Sequence, residues 1–174
     1  MRTNILFFIT LVSMFFMGCN VENVDDSINS SANLQFNANL SKTKVITRPF
    51  KVKGSGTFEV VAPSECQDLI QVLIQGQGNA THLGLFHAEI TYCTDFEYNH
   101  YLTGKQIAAN GDEIYFYSVG FGVDDEGEWT EYIYSGGTGR FENASGELKL
   151  YGVSEFTGPT SGVYKNHGSG TLSY

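Results

Sequence analysis

The sequence predicts an all-β domain, a single antiparallel barrel of about eight strands with few helices. Glycine occurs 20 times and aromatic residues make up 14% of the chain, whereas proline occurs only 3 times. That composition is typical of strands joined by tight turns. Short stretches of alternating polar and apolar residues follow one another from residue 50 onward, separated by turn residues, a spacing that suggests a sandwich or a barrel. The length of 174 residues, 41% of them hydrophobic, suffices for one domain with its own core.

The first 18 residues have the features of an export signal. Arg2 gives a positively charged start, and residues 5–17 form a short apolar run. A helix of that length spans about 20 Å, less than the roughly 30 Å hydrocarbon core, which indicates a signal peptide rather than a membrane helix. The run ends in Phe-Met-Gly-Cys at residues 16–19 and resembles a bacterial lipobox. The resemblance implies cleavage before Cys19 and acylation of Cys19; the alternative is an ordinary secretory signal with an incidental cysteine.

Residues 19–49 are predicted to be a lipidated cysteine followed by a flexible polar tether, because Asn and Ser dominate the stretch. The barrel domain is then residues 50–174. A lipidated N-terminus makes a membrane the expected partner and places the protein in the bacterial cell envelope, on the outer membrane, facing the periplasm or the cell surface. The net charge of −9, from 10 Lys and Arg against 19 Asp and Glu, excludes nucleic acid as a partner.

Eight candidate strands can be placed in the predicted barrel domain. They cover residues 50–61, 69–78, 85–93, a stretch ending near 109, 113–122, 129–134, 147–156 and 163–174. The second of them also fits one face of a helix capped by Ser64, but its β-branched residues favour a strand. Asn110-Gly111 is the clearest hairpin turn, since both central residues of that turn type need positive φ. Eight antiparallel strands can close without exposed edges, leaving room for side chains or one small ligand.

A disulfide between Cys66 and Cys93 is predicted, because these are the two cysteines left once Cys19 is lipidated. An exported protein folds in an oxidising compartment, where paired cysteines are the default. If the second and third strands form a hairpin about Asn79-Ala80, Cys66 and Cys93 lie opposite each other, at a distance that a disulfide can bridge.

Residues 135–146 read Ser-Gly-Gly-Thr-Gly-Arg-Phe-Glu-Asn-Ala-Ser-Gly. The stretch around Gly136–Phe141 resembles dirigent proteins and, more loosely, allene oxide cyclases. Both families share an eight-stranded barrel and bind or process hydrophobic small molecules, so the resemblance implies the same barrel here. Small bacterial lipoproteins carry a similar stretch, and residues 79–84 resemble them as well. The clustered glycines permit a sharp corner, and we expect Phe141 to fill the end of the barrel.

Even-numbered positions are predicted to face the barrel interior. They are Gly54, Gly56, Phe58, Ile70, Val72, Ile74, His82, Phe86, Ala88, Ile90, Ile114, Phe116, Leu148 and Leu150. The odd positions are more polar, which fits a solvent face, and Tyr115, Tyr117 and Phe121 would then lie outside. If the interior is open, the predicted contacts to a small apolar ligand are Phe58, His82, Phe86, Ile90 and Phe116. The alternative is a solid core of interdigitated side chains.

The sequence contains no catalytic motif of high specificity. His82 with Glu131 or Tyr115 would form an acid/base pair if the fold brought them together inside the barrel. A zinc site needs three or four converging ligands, and the spacing of the histidines does not supply them, so we expect no metal and no cofactor. The acidic run at residues 124–128 lacks the EF-hand pattern and is expected to be an exposed hairpin loop.

Three functions are compatible with these patterns. The first is binding of a small, mostly apolar molecule inside a lipid-anchored barrel. The second is a cyclase- or isomerase-like enzyme that needs no cofactor. The third is a structural or adhesive surface lipoprotein with a filled barrel. An apolar cavity favours the first, a cavity with an acid/base pair the second, and a filled interior the third.

Overall fold

A computed structural model describes residues 46–174, which form a closed barrel of eight antiparallel strands. The strands are β1 (Thr47–Val61), β2 (Ile70–Ala80), β3 (Gly84–Thr94), β4 (His100–Ala108), β5 (Glu113–Asp124), β6 (Gly127–Gly137), β7 (Ser145–Phe156) and β8 (Ser161–Ser173). Each strand pairs with the next, and β8 closes the ring on β1. The predicted fold class is confirmed, as is the strand rather than a helix in the second segment.

The predicted signal peptide, Cys19 and most of the predicted tether lie outside the described residues. β1 begins at Thr47, so residues 47–49 are strand rather than tether. Within residues 46–174 no helix is long and apolar enough to cross a membrane.

The alternation of side chains along each strand explains which residues face the barrel interior. In β1, Phe50 and Val52 are buried while Lys51 and Lys53 are exposed, and the same even-inward pattern holds through most of the barrel. Of the residues predicted to face inward, seven are buried: Val72, Phe86, Ala88, Ile114, Phe116, Leu148 and Leu150. Ile70 is 38% exposed because it lies at the edge, where β2 begins.

The two ends of the barrel differ. At the end that we call the closed end, residues 81–83, 109–112 and 138–144 connect the strands. A 3₁₀ helix at Gly139–Phe141 inserts Phe141, which is fully buried and packs edge-on against Tyr174 with ring centroids 5.2 Å apart. Phe141 therefore fills the end of the barrel, as the sequence predicts. At the opposite, open end the connections are residues 62–69, 95–99, 125–126 and 157–160.

The β2–β3 register corrects the predicted hairpin. Ile70 pairs with Thr94 and Ala80 with Gly84, so the turn is formed by residues 81–83 and not by Asn79-Ala80. His82 and Gly84 take the positive φ angles of 71° and 76° that this tight turn requires. Consequently Cys93 lies opposite Gln71 in the ladder rather than opposite Cys66.

The predicted disulfide nevertheless forms between Cys66 and Cys93, with Cα atoms 5.3 Å apart. Cys66 is not in a strand but in the β1–β2 connection, which folds back over the barrel next to Cys93. The pairing was predicted correctly, and the register offered for it was wrong.

The Asn110-Gly111 turn is confirmed but is longer than a two-residue hairpin. The backbone N–H of Ala108 donates to Asp112, so residues 109–112 form the loop. Within this loop, Gly111 alone has a positive φ, at 88°.

A bulge in β5 corrects the predicted orientation of Phe121. Ser118 pairs with Tyr132 but Gly120 pairs with Glu131, which leaves Val119 as an extra residue. The extra residue inverts the alternation, so Phe121 turns inward and packs against the core. Tyr115 and Tyr117, before the bulge, are 38% and 39% exposed, as predicted.

Candidate functional site

The open half of the barrel contains a cavity of about 710 Å³. Volumes of this size are typical of sites for small molecules. Its walls are mostly apolar, and the aromatic side chains among them are Phe58, Tyr92, Phe96, Tyr98, Phe121, Tyr132, Phe156 and Tyr164. The interior is therefore filled only in the closed half, and the alternative of a uniformly solid core does not describe this barrel.

Two glycines help to explain why this half stays open. Gly76 of β2 lies beneath the Tyr164 hydroxyl, at a place where a Cβ would collide with that oxygen. Gly152 of β7 lines the cavity, and a Cβ there would meet only Lys165 O at 3.7 Å and Asn166 Cβ at 3.8 Å. Gly76 thus admits a neighbouring side chain, whereas Gly152 leaves unoccupied space.

The boundary with the packed core is formed by tyrosines. Tyr132 and Tyr134 are buried, and the Tyr132 ring packs against Phe116 with centroids 5.0 Å apart. The Tyr134 hydroxyl donates to Gln106 Oε1 at 3.4 Å. Burial raises the pKa of Tyr132, Tyr134 and Tyr164 above the ordinary tyrosine value. These phenols are therefore neutral at physiological pH.

A hydrogen-bonded Tyr–His pair lies in the cavity wall. Tyr92 Oη is 2.6 Å from His100 Nδ1, and Thr94 Oγ1 is 3.0 Å from the same nitrogen. Thr94 is fully buried, and its hydroxyl also accepts from the backbone N–H of Phe96 at 2.8 Å. The Phe121 ring covers His100 at 5.1 Å. This packing fixes a proton donor and a proton acceptor side by side.

The charge environment of Tyr92 opposes ionisation. Burial is the main cause of its raised pKa, and the negative charges of Glu128 and Asp95 raise that pKa further, while a hydrogen bond to Thr94 lowers it. Tyr92 therefore stays protonated, and its hydroxyl can donate either to His100 or to a bound molecule.

Asn166 contributes an unsatisfied acceptor to the wall. Its Oδ1 atom is buried and has no hydrogen-bond partner within residues 46–174. Buried polar atoms are nearly always paired, and an unpaired one costs about 1–3 kcal/mol.

The mouth of the cavity is rimmed by exposed apolar side chains. Phe96, Tyr98, Val123 and Phe156 are between 55% and 87% exposed, and all four line the cavity. Contiguous apolar surface of this kind marks sites where another molecule is bound.

The loop that carries two of the rim residues is organised by Asp95. One carboxylate oxygen of Asp95 accepts from the backbone N–H groups of Glu97, Tyr98 and Asn99, each at 2.9 Å. These hydrogen bonds, led by the one from Asn99, lower the pKa of Asp95 well below its ordinary value. The loop therefore has a defined conformation around a charged carboxylate.

Comparison with solved structures identifies the architecture. The structure of the pterocarpan synthase dirigent protein GePTS1 is similar, with a TM-score of 0.52 and 12% sequence identity, over 75% of this chain and 86% of that chain. The barrel is dirigent-like. A second pterocarpan synthase dirigent protein, PsPTS1, has a TM-score of 0.49 at 12% identity, over 74% of this chain and 96% of that chain. No protein-family model matches the chain, and no curated protein matches it by sequence.

The dirigent-like barrel bears out the fold that the Gly136–Phe141 stretch implied. At 12% identity the similarity extends to the fold and assigns no role to any cavity residue.

The dirigent-like barrel separates the five residues predicted to contact a ligand. Phe58 and Ile90 line the cavity. Phe86 and Phe116 belong to the packed core and are absent from the cavity wall. His82 lies in the β2–β3 turn at the closed end, with its ring centroid 6.0 Å from that of Tyr174. Ligand contact thus stays a prediction for Phe58 and Ile90, and the geometry gives it no support for the other three.

The three residues predicted as candidates for an acid/base pair are not brought together in the barrel. His82 is at the closed end, while Tyr115 and Glu131 are exposed. The Tyr115 hydroxyl donates to Glu113 Oε2 at 2.9 Å, on the outer face. None of the three lines the cavity.

Sequence reasoning missed the Tyr92–His100 pair, although a signal for it exists. Tyr92 shares the even, inward parity of Ile90, and His100 shares that of Leu102. The pairing itself depends on the β3–β4 connection, whose length the alternation does not reveal.

The acidic hairpin between β5 and β6 is held by ion pairing. Asp124 Oδ2 accepts from Lys149 Nζ at 2.8 Å and from the Tyr151 hydroxyl at 3.0 Å, and the Lys149 hydrogen bond is the main reason that the pKa of Asp124 is lowered.

Within the described part of the chain, no three His, Cys, Asp or Glu side chains are close enough to hold a metal ion.

Proposed function

We propose that this barrel binds a small, mostly apolar molecule in the cavity at its open end. One observation carries the proposal: about 710 Å³ of space bounded by aromatic walls, blocked below by the packed core and open at one mouth. Moving apolar surface from water into such a space is favourable by roughly 25 cal/mol per Å². The similarity to dirigent proteins supports the proposal through the shared fold.

The proposal is tested by filling the cavity from within. Gly152→Phe places a ring in the open space beside Asn166, on a strand whose backbone tolerates a side chain. The probe is N-phenyl-1-naphthylamine, a neutral molecule whose fluorescence rises in apolar surroundings. We expect Gly152→Phe to weaken probe binding at least tenfold, because the ring occupies volume that the probe needs.

A matched control adds the same ring outside the cavity. Thr57 is an exposed residue of β1 that does not line the cavity, so Thr57→Phe should leave probe binding unchanged. Both variants should keep the β-rich circular dichroism of the parent. Unchanged probe binding in a folded Gly152→Phe variant would refute the proposed site.

A second candidate function is proton-transfer catalysis without a cofactor, and the Tyr92–His100 pair favours it. With Oη and Nδ1 only 2.6 Å apart, one group can withdraw a proton from a bound molecule while the other donates one. The test incubates the protein with 2-acetylnaphthalene in D₂O and follows deuterium entering its methyl group by proton NMR. Tyr92→Phe and His100→Gln should each abolish exchange above the buffer rate while retaining probe binding. No exchange by the parent protein would eliminate this function.

We further propose that Cys19 is the mature N-terminus and carries the lipid that anchors the barrel in the bacterial envelope. The charged start, the short apolar run and Gly18-Cys19 support this proposal. Mass spectrometry of the membrane fraction should find a diacylated or triacylated Cys19, and Cys19→Ser should shift the protein to the soluble fraction. An intact Met1 or an unmodified Cys19 would contradict the proposal.

A further inference from the structure

The charged residues that line the cavity carry more negative than positive charge. Glu97, Glu128 and Lys165 are the charged residues among its lining. Glu128 precedes Trp129 in β6 and has the parity of the inward Tyr132, so its carboxylate belongs to the inner face. Lys165 lies between the cavity residues Tyr164 and Asn166 in β8, and strand alternation directs its side chain to the outer face. The inner side of the mouth therefore carries negative charge, from the exposed carboxylate of Glu128.

Among residues 46–174, no cationic side chain lies over the rings of Tyr92, Phe121 or Tyr132 in the cavity wall. Within residues 46–174, the cation–π contacts place Arg48 over Tyr174, Arg140 over Phe141, and Lys149 over Trp129 and Tyr151. None involves Tyr92, Phe121 or Tyr132, whose rings line the same cavity as Glu128. The face of an aromatic ring carries negative potential and attracts cations, most strongly where water is excluded.

The electrostatics of Tyr92 agree with this geometry. Burial is the main cause of its raised pKa, and the charges of Glu128 and Asp95 act in the same direction, as expected for a hydroxyl within reach of two carboxylates. The chain as a whole carries a net charge of −9, which adds a long-range attraction for positive molecules.

We propose that the ligand of this cavity is an organic ammonium: an apolar, ring-containing body with one amine that is protonated at pH 7. The body fills the aromatic space, and the ammonium lies near Glu128 and the faces of the surrounding rings. This inference rests on the proposed binding function and specifies the chemistry that the cavity selects.

Three probes that share one ring system test the inference by isothermal titration calorimetry at pH 7 and low salt. They are 1-naphthylmethylamine, a cation; 1-naphthylmethanol, which is neutral; and 1-naphthoate, an anion. We expect the amine to bind about tenfold more tightly than the alcohol, and the carboxylate to bind most weakly, because a cation in a partly desolvated aromatic site gains roughly that much.

Variants of two glutamates on the same strand locate the effect. Glu128→Gln should lower the ratio of amine to alcohol affinity about threefold, since an exposed ion pair contributes modestly. Glu131→Gln is the matched control: it removes the same charge from an exposed position of β6 outside the cavity and should leave the ratio unchanged.

The outcomes separate this inference from the function on which it rests. If the alcohol binds as tightly as the amine, the cation preference is wrong and the proposed binding function stands. If none of the three probes binds, both are wrong. If Glu131→Gln lowers the ratio as much as Glu128→Gln does, the preference comes from the overall charge of the protein, and the assignment to Glu128 is overturned.

Discussion

The disulfide between Cys66 and Cys93 ties the β1–β2 connection to the end of β3, beside a hydrogen-bonded anchor made by Gln71. Gln71 is 2% exposed, and its Oε1 atom accepts from the backbone N–H groups of Ser64 at 2.7 Å and Glu65 at 2.9 Å. Because Gln71 pairs with Cys93 across β2 and β3, the covalent bond and the hydrogen bonds act at the same place. Together they hold the longest connection of the open end against the barrel.

Removing the disulfide should cost substantial stability. The double variant Cys66→Ser/Cys93→Ser releases a loop with a sequence separation of 27, for which chain entropy gives a loss of about 3–4 kcal/mol. Urea denaturation measures the loss of stability in the variant. Thiol titration of the denatured, unreduced parent protein should find neither Cys66 nor Cys93 free. Two free thiols at these positions, or an unchanged urea midpoint, would contradict the prediction.

Gln71→Ala should destabilise the protein by about 1–3 kcal/mol, because it leaves two backbone N–H groups of the β1–β2 connection without their acceptor. Gln75→Ala is the control, since Gln75 is an exposed residue of the same strand. Its free energy of unfolding should change by less than about 0.5 kcal/mol. Equal losses in the two variants would mean that Gln71 does not anchor the connection.

Phe141→Ala should cost about 3–5 kcal/mol, because it empties the fully buried position that fills the closed end. Phe96→Ala removes a ring that is 55% exposed at the mouth and should change stability by far less. The contrast is measured by chemical denaturation. Phe96→Ala should weaken probe binding more than Phe141→Ala does, since Phe96 lines the cavity and Phe141 does not.

The loop organised by Asp95 should make a pH-dependent contribution to stability. Hydrogen bonds lower the pKa of Asp95 in the folded state below its unfolded value, so the contribution is present above about pH 4 and is lost as the pH falls through the folded pKa. Asp95→Ala should therefore lower Tm at pH 7, and the difference from the parent should shrink progressively below about pH 4. Asp125→Ala, an exposed change in the β5–β6 turn, serves as the control. A Tm difference that is constant with pH would show that the carboxylate charge of Asp95 makes no contribution.

The strands, the inward face and the cysteine pairing were predictable from the sequence because each depends on local or countable features. Alternation of side chains along a strand identified Phe58, Val72 and Ile90 as inward residues without knowledge of their neighbours. The glycine-rich corner likewise located Phe141 at the end of the barrel.

Other features were decided only when eight strands closed on one another. The extra residue at Val119 inverts the alternation and turns Phe121 into the cavity, and the three-residue turn after Ala80 displaces the register that the hairpin pattern implied. Space inside the barrel is filled or left open by side chains that all eight strands contribute at the same height along the barrel. The contact of Tyr92 with His100 is likewise a property of the folded barrel. Local periodicity determined which side chains point inward, and the closed barrel determined which of them meet and where space remains.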